Sequence, residues 1–174
     1  NPPYGYLSSV ERLSLRDPLA EWQPAPTMGI AREGAGTAVV SDGRIFVAGG
    51  RNTPGDRMNA PLASMEMLRP GDGHWEARAE MPRPRLGFAM AAVGDCVLAI
   101  GGADSKPERA GVGVKRFLGI GAVDAYSVRE DRWYPAPPLN IPRHGHDVAV
   151  VGNRIMVAGG TTDGILAIAS VEIC

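Results

Sequence analysis

The apolar positions of this chain fall into short runs separated by polar, glycine-rich turns. Three of the runs, at residues 45–50, 97–102 and 155–160, end in a double glycine, and these glycine pairs are 52 and 58 residues apart. Another apolar run precedes each of them across a short turn rich in Gly, Asp and Asn, which tolerate positive φ. The pattern therefore predicts a β-hairpin at the start of each repeat, and no stretch longer than one turn has helical periodicity.

Two further strands are predicted after each hairpin. The third strands are expected at residues 9–15, 62–68 and 122–128, so that the N-terminus holds the second half of a repeat alone. The fourth strands each carry a tryptophan, and these are Trp22, Trp75 and Trp133. Four short strands in each unit of roughly 50 residues are typical of a β-propeller blade.

An Arg-x-Gly motif follows each tryptophan and a proline-rich link, with its arginine at Arg32, Arg85 or Arg143. The order Arg-x-Gly, strand, turn, strand with Gly-Gly, loop, Val-Glu-type strand, turn and Trp resembles the kelch repeat, from Ser8 onward. It is most similar to the kelch domains of BTB-kelch (Kelch-like) adaptor proteins. The departures from that pattern are Met65, Asp124-Ala125 and the long loop of the second blade. The resemblance implies an all-β fold, a kelch-type β-propeller.

The repeats divide this single partial propeller into four segments. These are a half blade at 8–27, blades at 28–79 and 80–138, and a partial blade at 139–174, or about three blades in all. Propellers typically close with four to eight blades, because each sheet packs face to face around a ring. We therefore expect an incomplete ring, completed either by missing blades of a longer chain or by self-association.

Composition narrows the classes of function. A net charge of −1 gives no reason to expect nucleic acid or an anionic membrane as a partner. No apolar run approaches the roughly 18 residues that span a bilayer. The two cysteines, Cys96 and Cys174, do not make a disulfide framework and favour a reducing compartment, so a cytoplasmic location is expected.

The long connections of the blades are predicted on one face of the propeller, called here the long-loop face. They span residues 28–33, 51–61, 80–86, 103–119, 140–144 and 161–167. In sequence these ranges hold 10 basic and 6 acidic residues, which predicts a basic face for an acidic peptide or protein partner. The candidate binding residues are Arg32, Arg85, Arg143, Arg51, Arg57, Lys115 and Arg116.

The role of the Arg-x-Gly arginines has two readings. In BTB-kelch adaptors, arginines at this motif position can face an acidic peptide, and the resemblance implies that role for Arg32, Arg85 and Arg143. The alternative is that they pair with acidic residues of neighbouring loops and hold the blades together.

Other marked residues are predicted to be structural. The double glycines, which are Gly49, Gly50, Gly101, Gly102, Gly159 and Gly160, allow a close approach of backbone that a Cβ would block. One tryptophan per blade is expected to pack between blades. His144 and His146 have the spacing of two metal ligands on one side of a strand, but no third ligand is visible, so neither a metal nor a cofactor is predicted.

The sequence favours a protein–protein interaction module over an enzyme. No Gly-x-Ser-x-Gly or other nucleophile context is present in the sequence. The resemblance to BTB-kelch adaptors implies substrate recognition for a cullin ubiquitin ligase. Two alternatives stay open: a sugar-modifying enzyme of the kelch type, similar to epimerases or copper-radical oxidases, and a structural subunit of a larger assembly. The oxidases need a Tyr–Cys crosslink, and the position of Cys96 inside a predicted core strand argues against that role.

Overall fold

The computed structural model describes residues 5–17, 19–52, 60–104, 108–110, 114–164 and 167–173. Within these ranges every regular element is a β-strand. The strands are β1 (Val10–Arg12), β2 (Gln23–Ala25), β3 (Gly36–Val39), β4 (Ile45–Ala48), β5 (Met65–Leu68), β6 (Glu76–Arg78), β7 (Ala89–Val93), β8 (Cys96–Ile100), β9 (Glu108–Ala110), β10 (Val114–Arg116), β11 (Val123–Ser127), β12 (Arg132–Ala136), β13 (Asp147–Val151), β14 (Arg154–Ala158) and β15 (Val171–Ile173). The all-β prediction is confirmed.

The strands form antiparallel sheets in which neighbours in sequence are neighbours in space, except where β9 and β10 form a separate hairpin. Two complete four-stranded blades have the orders β3-β4-β5-β6 and β7-β8-β11-β12. They are flanked by a two-stranded sheet, β1-β2, and a three-stranded sheet, β13-β14-β15. The second and third strands have the same register in each blade, with Ala48 opposite Met65, Ile100 opposite Val123 and Ala158 opposite Val171. The arrangement is open, as the predicted partial propeller requires.

Successive blades pack face to face through their apolar sides. The first strands β3, β7 and β13 lie side by side, with β7 in the middle. Phe46 and Met67 of one blade meet Phe88 of the next in a shared core, and Tyr126 contacts Phe46 edge to face at 5.7 Å between ring centroids. A second cluster around Ile100, Leu139 and Val157 joins the second blade to the third.

The tryptophans link each blade to the preceding one. The Nε1–H of Trp75 donates to the carbonyl of Pro26 at 2.7 Å, and that of Trp133 donates to the carbonyl of Ala79 at 2.9 Å. Each acceptor lies four residues after the tryptophan of the preceding repeat. Trp22, the tryptophan of the half blade, is 63% exposed.

Close backbone approach explains the double glycines. Gly49 has φ of 62°, and a Cβ there would lie 2.6 Å from the carbonyl oxygen of Arg85 in the next blade. Gly101 repeats the relationship with the carbonyl of Arg143 at 2.8 Å. Only glycine combines this left-handed backbone with such a small separation.

The sequence predicted a plain loop for the 103–119 connection, but the structure differs. Its described part contains the β9–β10 hairpin, with Val114 opposite Ala110 and Arg116 opposite Glu108. The C-terminal base of the hairpin is fixed to the third blade, because Gly119 N–H donates to the carbonyl of Thr162 at 2.7 Å. In the described part of the chain, no helix is long and apolar enough to cross a membrane.

Candidate interaction face

The arginine of each Arg-x-Gly motif lies in the interior of its own blade. The side chain of Arg32 is 2.8 Å from Glu66 Oε2, and that of Arg143 is 2.8 Å from Glu172 Oε1. Arg85 pairs in the same way with Asp124. Each acid is the second residue of the third strand. The ion pair therefore joins the segment that precedes the first strand of a blade to the third strand of the same blade.

Backbone carbonyls complete the surroundings of each guanidinium. Nη1 of Arg32 donates to the carbonyls of Gly49 at 2.8 Å and Ser64 at 3.2 Å, where the second strand ends and the third begins. Arg143 makes the equivalent bonds to Gly159 and Ser170. The planar fork of arginine suits this set of fixed acceptors, since one guanidinium can satisfy several of them at once.

The acids also bind the chain that leads to the arginine. Glu66 accepts hydrogen bonds from the backbone N–H groups of Gly29 and Ile30, at 2.6 and 3.3 Å. Glu172 does the same for Asn140 and Ile141. Burial works against the charged form of Glu172, but these bonds and the guanidinium of Arg143 together hold its pKa below the usual range.

This geometry corrects the expected accessibility of the three arginines. Arg32 is 8% exposed, and Arg85 and Arg143 are 0% exposed. Their burial favours the structural alternative, although the partner acids belong to the third strand of the same blade and not to neighbouring loops. With these three cations neutralised inside the blades, the sequence excess of four positive charges over the long-loop ranges falls to one.

The remaining candidate binding residues have different positions. Arg51 is half-buried and forms an ion pair with the exposed Glu33 at 3.0 Å, where a backbone bridge also joins the two residues. Arg57 lies outside the described residues. Lys115 and Arg116 belong to β10, where Lys115 is directly opposite Arg109 of β9.

The β9–β10 hairpin is therefore the element of the long-loop face that sequence reasoning missed. Its strands have three residues each, and neither shows an alternation of apolar and polar positions that would predict a strand. The one usable signal in the sequence was the glycine-rich segment 111–113, which separates residues 108–110 from residues 114–116 as the turn of a hairpin would. The hairpin has a second anchor in His144, whose Nε2 lies 2.9 Å from the carbonyl oxygen of Phe117.

His144 and His146 have different surroundings. His146 is buried, and among the described residues no hydrogen bond of ordinary geometry reaches either of its ring nitrogens. Burial, and next the charge of Arg143, lower the pKa of His146 to about 4, so the ring is neutral at pH 7. It occupies the position that Phe88 has in the second blade, directly after the motif glycine. Among the described residues, no cluster of three or more His, Cys, Asp or Glu side chains could hold a metal.

The cysteine in the described part of the chain is a free thiol. Cys96 begins β8 and is half-buried, and this burial raises its pKa above the usual value. Such a thiol is a weak nucleophile at neutral pH, because little of it is thiolate. Cys174 lies outside the described residues.

Four-stranded blades in an open ring, each closed by a buried arginine–acid pair, define a partial β-propeller. The family profile described as Kelch motif matches residues 35–82. Beta-scruin of Limulus polyphemus is 28% identical over 142 residues, which are 82% of this chain and 14% of the scruin. Kelch-like protein 34 of Homo sapiens is 27% identical over 154 residues, covering 88% of this chain and 22% of that protein.

A third relative is Kelch-like ECH-associated protein 1B of Danio rerio, which is 25% identical over 109 residues, covering 63% of this chain and 17% of that protein. The chain thus spans less than a quarter of the length of these relatives. One segment of this partial β-propeller thus matches the Kelch motif, and the chain is similar to Kelch-like proteins. Kelch repeats with Kelch-like relatives support a protein-interaction module.

Proposed function

We propose that this chain contacts a protein partner through its long-loop face, with the β9–β10 hairpin as the principal contact element. The observation that carries this proposal is the anchoring of this second-blade hairpin to the third blade. Gly119 is bonded to Thr162, and Phe117 is bonded to His144. A connection fixed at its base to a rigid scaffold is a usual location for binding residues.

An acidic peptide or protein is the partner that the charge of the hairpin suits. β9 and β10 contain three basic residues, Arg109, Lys115 and Arg116, and one acidic residue, Glu108, so the hairpin carries a net positive charge. This charge would attract the carboxylates of a partner and favour the encounter with an acidic surface.

The similarity to Kelch-like proteins supports a finer proposal. In that setting the kelch segment would recognise a substrate for a cullin ubiquitin ligase, with other parts of a longer protein contacting the ligase. This chain would supply the recognition surface. The partner class is the same in both forms of the proposal.

The test is binding to a surface array of Asp- and Glu-rich peptides, with Lys-rich peptides of equal length as the reference. The double variant Lys115→Glu, Arg116→Glu is expected to reduce binding to the acidic peptides by more than about tenfold, since each lost ionic contact is worth about 1 kcal/mol or more. The control is Arg129→Glu with Arg154→Glu, two exposed arginines at the tight turns of the opposite face. Equal losses in both double variants would show non-specific charge attraction and contradict the proposal.

A further inference from the structure

The outer strand of the second blade belongs to an exposed, proline-rich segment. β12 is the last strand of the sheet β7-β8-β11-β12, and residues 132–138 have the sequence Arg-Trp-Tyr-Pro-Ala-Pro-Pro. Burial along this segment repeats every three residues: Trp133 and Ala136 are half-buried and Leu139 is buried, whereas the residues between them are exposed. A strand alternates with a period of two, and a period of three is that of a polyproline II helix.

The prolines of the segment account for this backbone. The rings of Pro135, Pro137 and Pro138 fix φ at about −65°, and a residue that precedes a proline is restricted to extended conformations. From Tyr134 to Pro138, every residue is a proline or precedes one. The segment is therefore held in an extended conformation before any partner binds, and this lowers the entropic cost of binding.

The period of three divides the side chains into three rows. The row of Trp133, Ala136 and Leu139 packs against the two core clusters of the blades. The other two rows, at positions 132, 135 and 138 and at positions 134 and 137, are exposed. A partner can contact two rows of a three-sided helix while the third row faces away from it, and here the third row is the one that the blade already buries.

Arg132 adds a positive charge at one end of the segment. Its guanidinium lies over the ring of Tyr134, with Cζ 5.4 Å from the ring centroid. The hydroxyl of Tyr134 donates to the carboxylate of Glu130, which fixes the ring beneath the guanidinium. A contact through the ring face uses no N–H donor, so Arg132 keeps its donors for a carboxylate of a partner.

This combination of one arginine and two prolines is specific to the second blade. Strand register aligns the positions of Arg132, Pro135 and Pro138 with residues of the two preceding fourth strands. In the half blade the aligned residues are Glu21, Pro24 and Thr27, and in the first complete blade they are His74, Ala77 and Glu80. The maintenance of the blade therefore does not require the arginine and both prolines at these positions.

We propose that residues 132–138 are a docking site for a protein domain that has an aromatic-lined groove for polyproline II and an acidic residue beside it, which is the recognition mode of SH3 domains. The two exposed rows would lie in the groove, and Arg132 would pair with the acid and set the direction of the segment. None of residues 132–138 belongs to the ranges of the long-loop face. This contact is therefore separate from the one proposed for the β9–β10 hairpin.

The experiment measures displacement of a fluorescent Arg-x-x-Pro-x-x-Pro peptide from a panel of purified SH3 domains by the intact chain. The chain is expected to displace the peptide from at least one domain of the panel. Arg132→Ala is expected to weaken this displacement about tenfold, because it removes a charge-assisted hydrogen bond. Pro135→Ala with Pro138→Ala is expected to weaken it by at least about tenfold, because it removes apolar contact and frees the backbone.

Three matched controls should each change the displacement by less than about twofold. Arg129→Ala changes an exposed arginine three residues before Arg132, and Pro24→Ala changes the exposed proline that is aligned with Pro135 in the half blade. The double variant Lys115→Glu, Arg116→Glu changes the β9–β10 hairpin and so separates this site from the long-loop face. A loss of displacement in this double variant as large as that in Arg132→Ala would overturn the separation of the two sites.

Two results would overturn the docking site itself. The first is a chain that displaces the peptide from no domain of the panel, or variants of the segment that displace it as well as the parent chain does. The second is a loss in Arg132→Ala with full displacement by the double proline variant, which would show ionic attraction without recognition of polyproline II.

Hydrogen exchange on the unmodified chain tests whether the domain binds the segment in its folded state. With a domain that is displaced from the peptide, exchange at the amides of Arg132 and Tyr134 is expected to slow about tenfold, while exchange in β11 stays unchanged. Faster exchange throughout β11 and β12 would show that the domain binds only a segment released from the blade, and this result would overturn the proposal.

Discussion

Arg143 and Glu172 lie 29 residues apart in sequence and 2.8 Å apart in the interior of the third blade. Arg32 and Glu66 have the same relationship in the first complete blade. Each pair connects the segment before the first strand of a blade to the third strand, and the arginine also contacts the end of the second strand, where the double glycine lies. The arginine of the Arg-x-Gly motif is therefore a buried structural residue that holds two parts of its own blade together.

Removing one of these arginines is expected to destabilise the fold. Arg32→Ala would leave Glu66 charged and buried without a counterion, and this costs about 3–5 kcal/mol of unfolding free energy. Urea denaturation measures the change. Arg129→Ala, at an exposed arginine, serves as the control and should stay within about 0.5 kcal/mol. A stable Arg32→Ala variant that has lost only partner binding would restore a ligand-contacting role for this arginine.

The acid of the second blade is matched to a proline. Asp124 is one methylene shorter than Glu66 and Glu172, whose carboxylates accept the N–H groups of Gly29 and Asn140. The residue at that position in the second blade is Pro82, which has no N–H to satisfy. The shorter acid therefore has no N–H to bind at this position.

This match predicts a coupling between Asp124 and Pro82. Asp124→Glu alone is expected to cost about 1–2 kcal/mol, because the added methylene crowds a filled site. Combined with Pro82→Asn, which restores the donor present at Asn140, the longer acid should recover about 1 kcal/mol in a double-mutant cycle. A coupling energy of zero would show that the two positions are independent.

His146 gives the fold a specific pH dependence. Its pKa is lowered to about 4 by burial in the folded chain, from an ordinary value of 6.5. Between these values the unfolded state binds a proton that the folded state does not, so stability is lost as the pH falls from 6.5 towards 4. We expect this ring to cost about 2 kcal/mol of stability at pH 5 relative to pH 7.5.

The variant His146→Phe tests this dependence. Phenylalanine fills the same position in the second blade as Phe88, so it should pack without titrating. Urea midpoints at pH 7.5 and pH 5 are expected to differ less in the variant than in the parent chain. A pH slope equal to that of the parent chain would place the titration elsewhere.

Trp133 and Trp22 are expected to contribute differently to the stability of the fold. Trp133→Phe removes the hydrogen bond to the carbonyl of Ala79 in a half-buried position and should cost about 1–2 kcal/mol. The control is Trp22→Phe, at a largely exposed side chain, which should change stability by less than about 0.5 kcal/mol. Thermal unfolding of both variants measures the difference. Equal destabilisation would show that Trp22 is also buried in solution.

The sequence by itself determined the repeat, the all-β class and the open propeller, because these depend on local patterns. A hairpin needs a turn and two apolar runs close together in the chain, and Gly-Gly and Trp recur at spacings that can be counted. The β9–β10 hairpin was missed because its short strands carry no alternation of apolar and polar residues. Its existence could not be derived from periodicity.

The tertiary structure alone decided where the arginines of the motif lie. Arg32, Arg85 and Arg143 belong to connecting segments, and a charge in a connection is ordinarily exposed. Their acids follow 34, 39 and 29 residues later, inside strands. Only folding brings each pair together and replaces the lost hydration of the arginine with an ion pair and fixed carbonyl oxygens. A count of charges along the chain therefore cannot distinguish an arginine that faces a ligand from one that is buried in an ion pair.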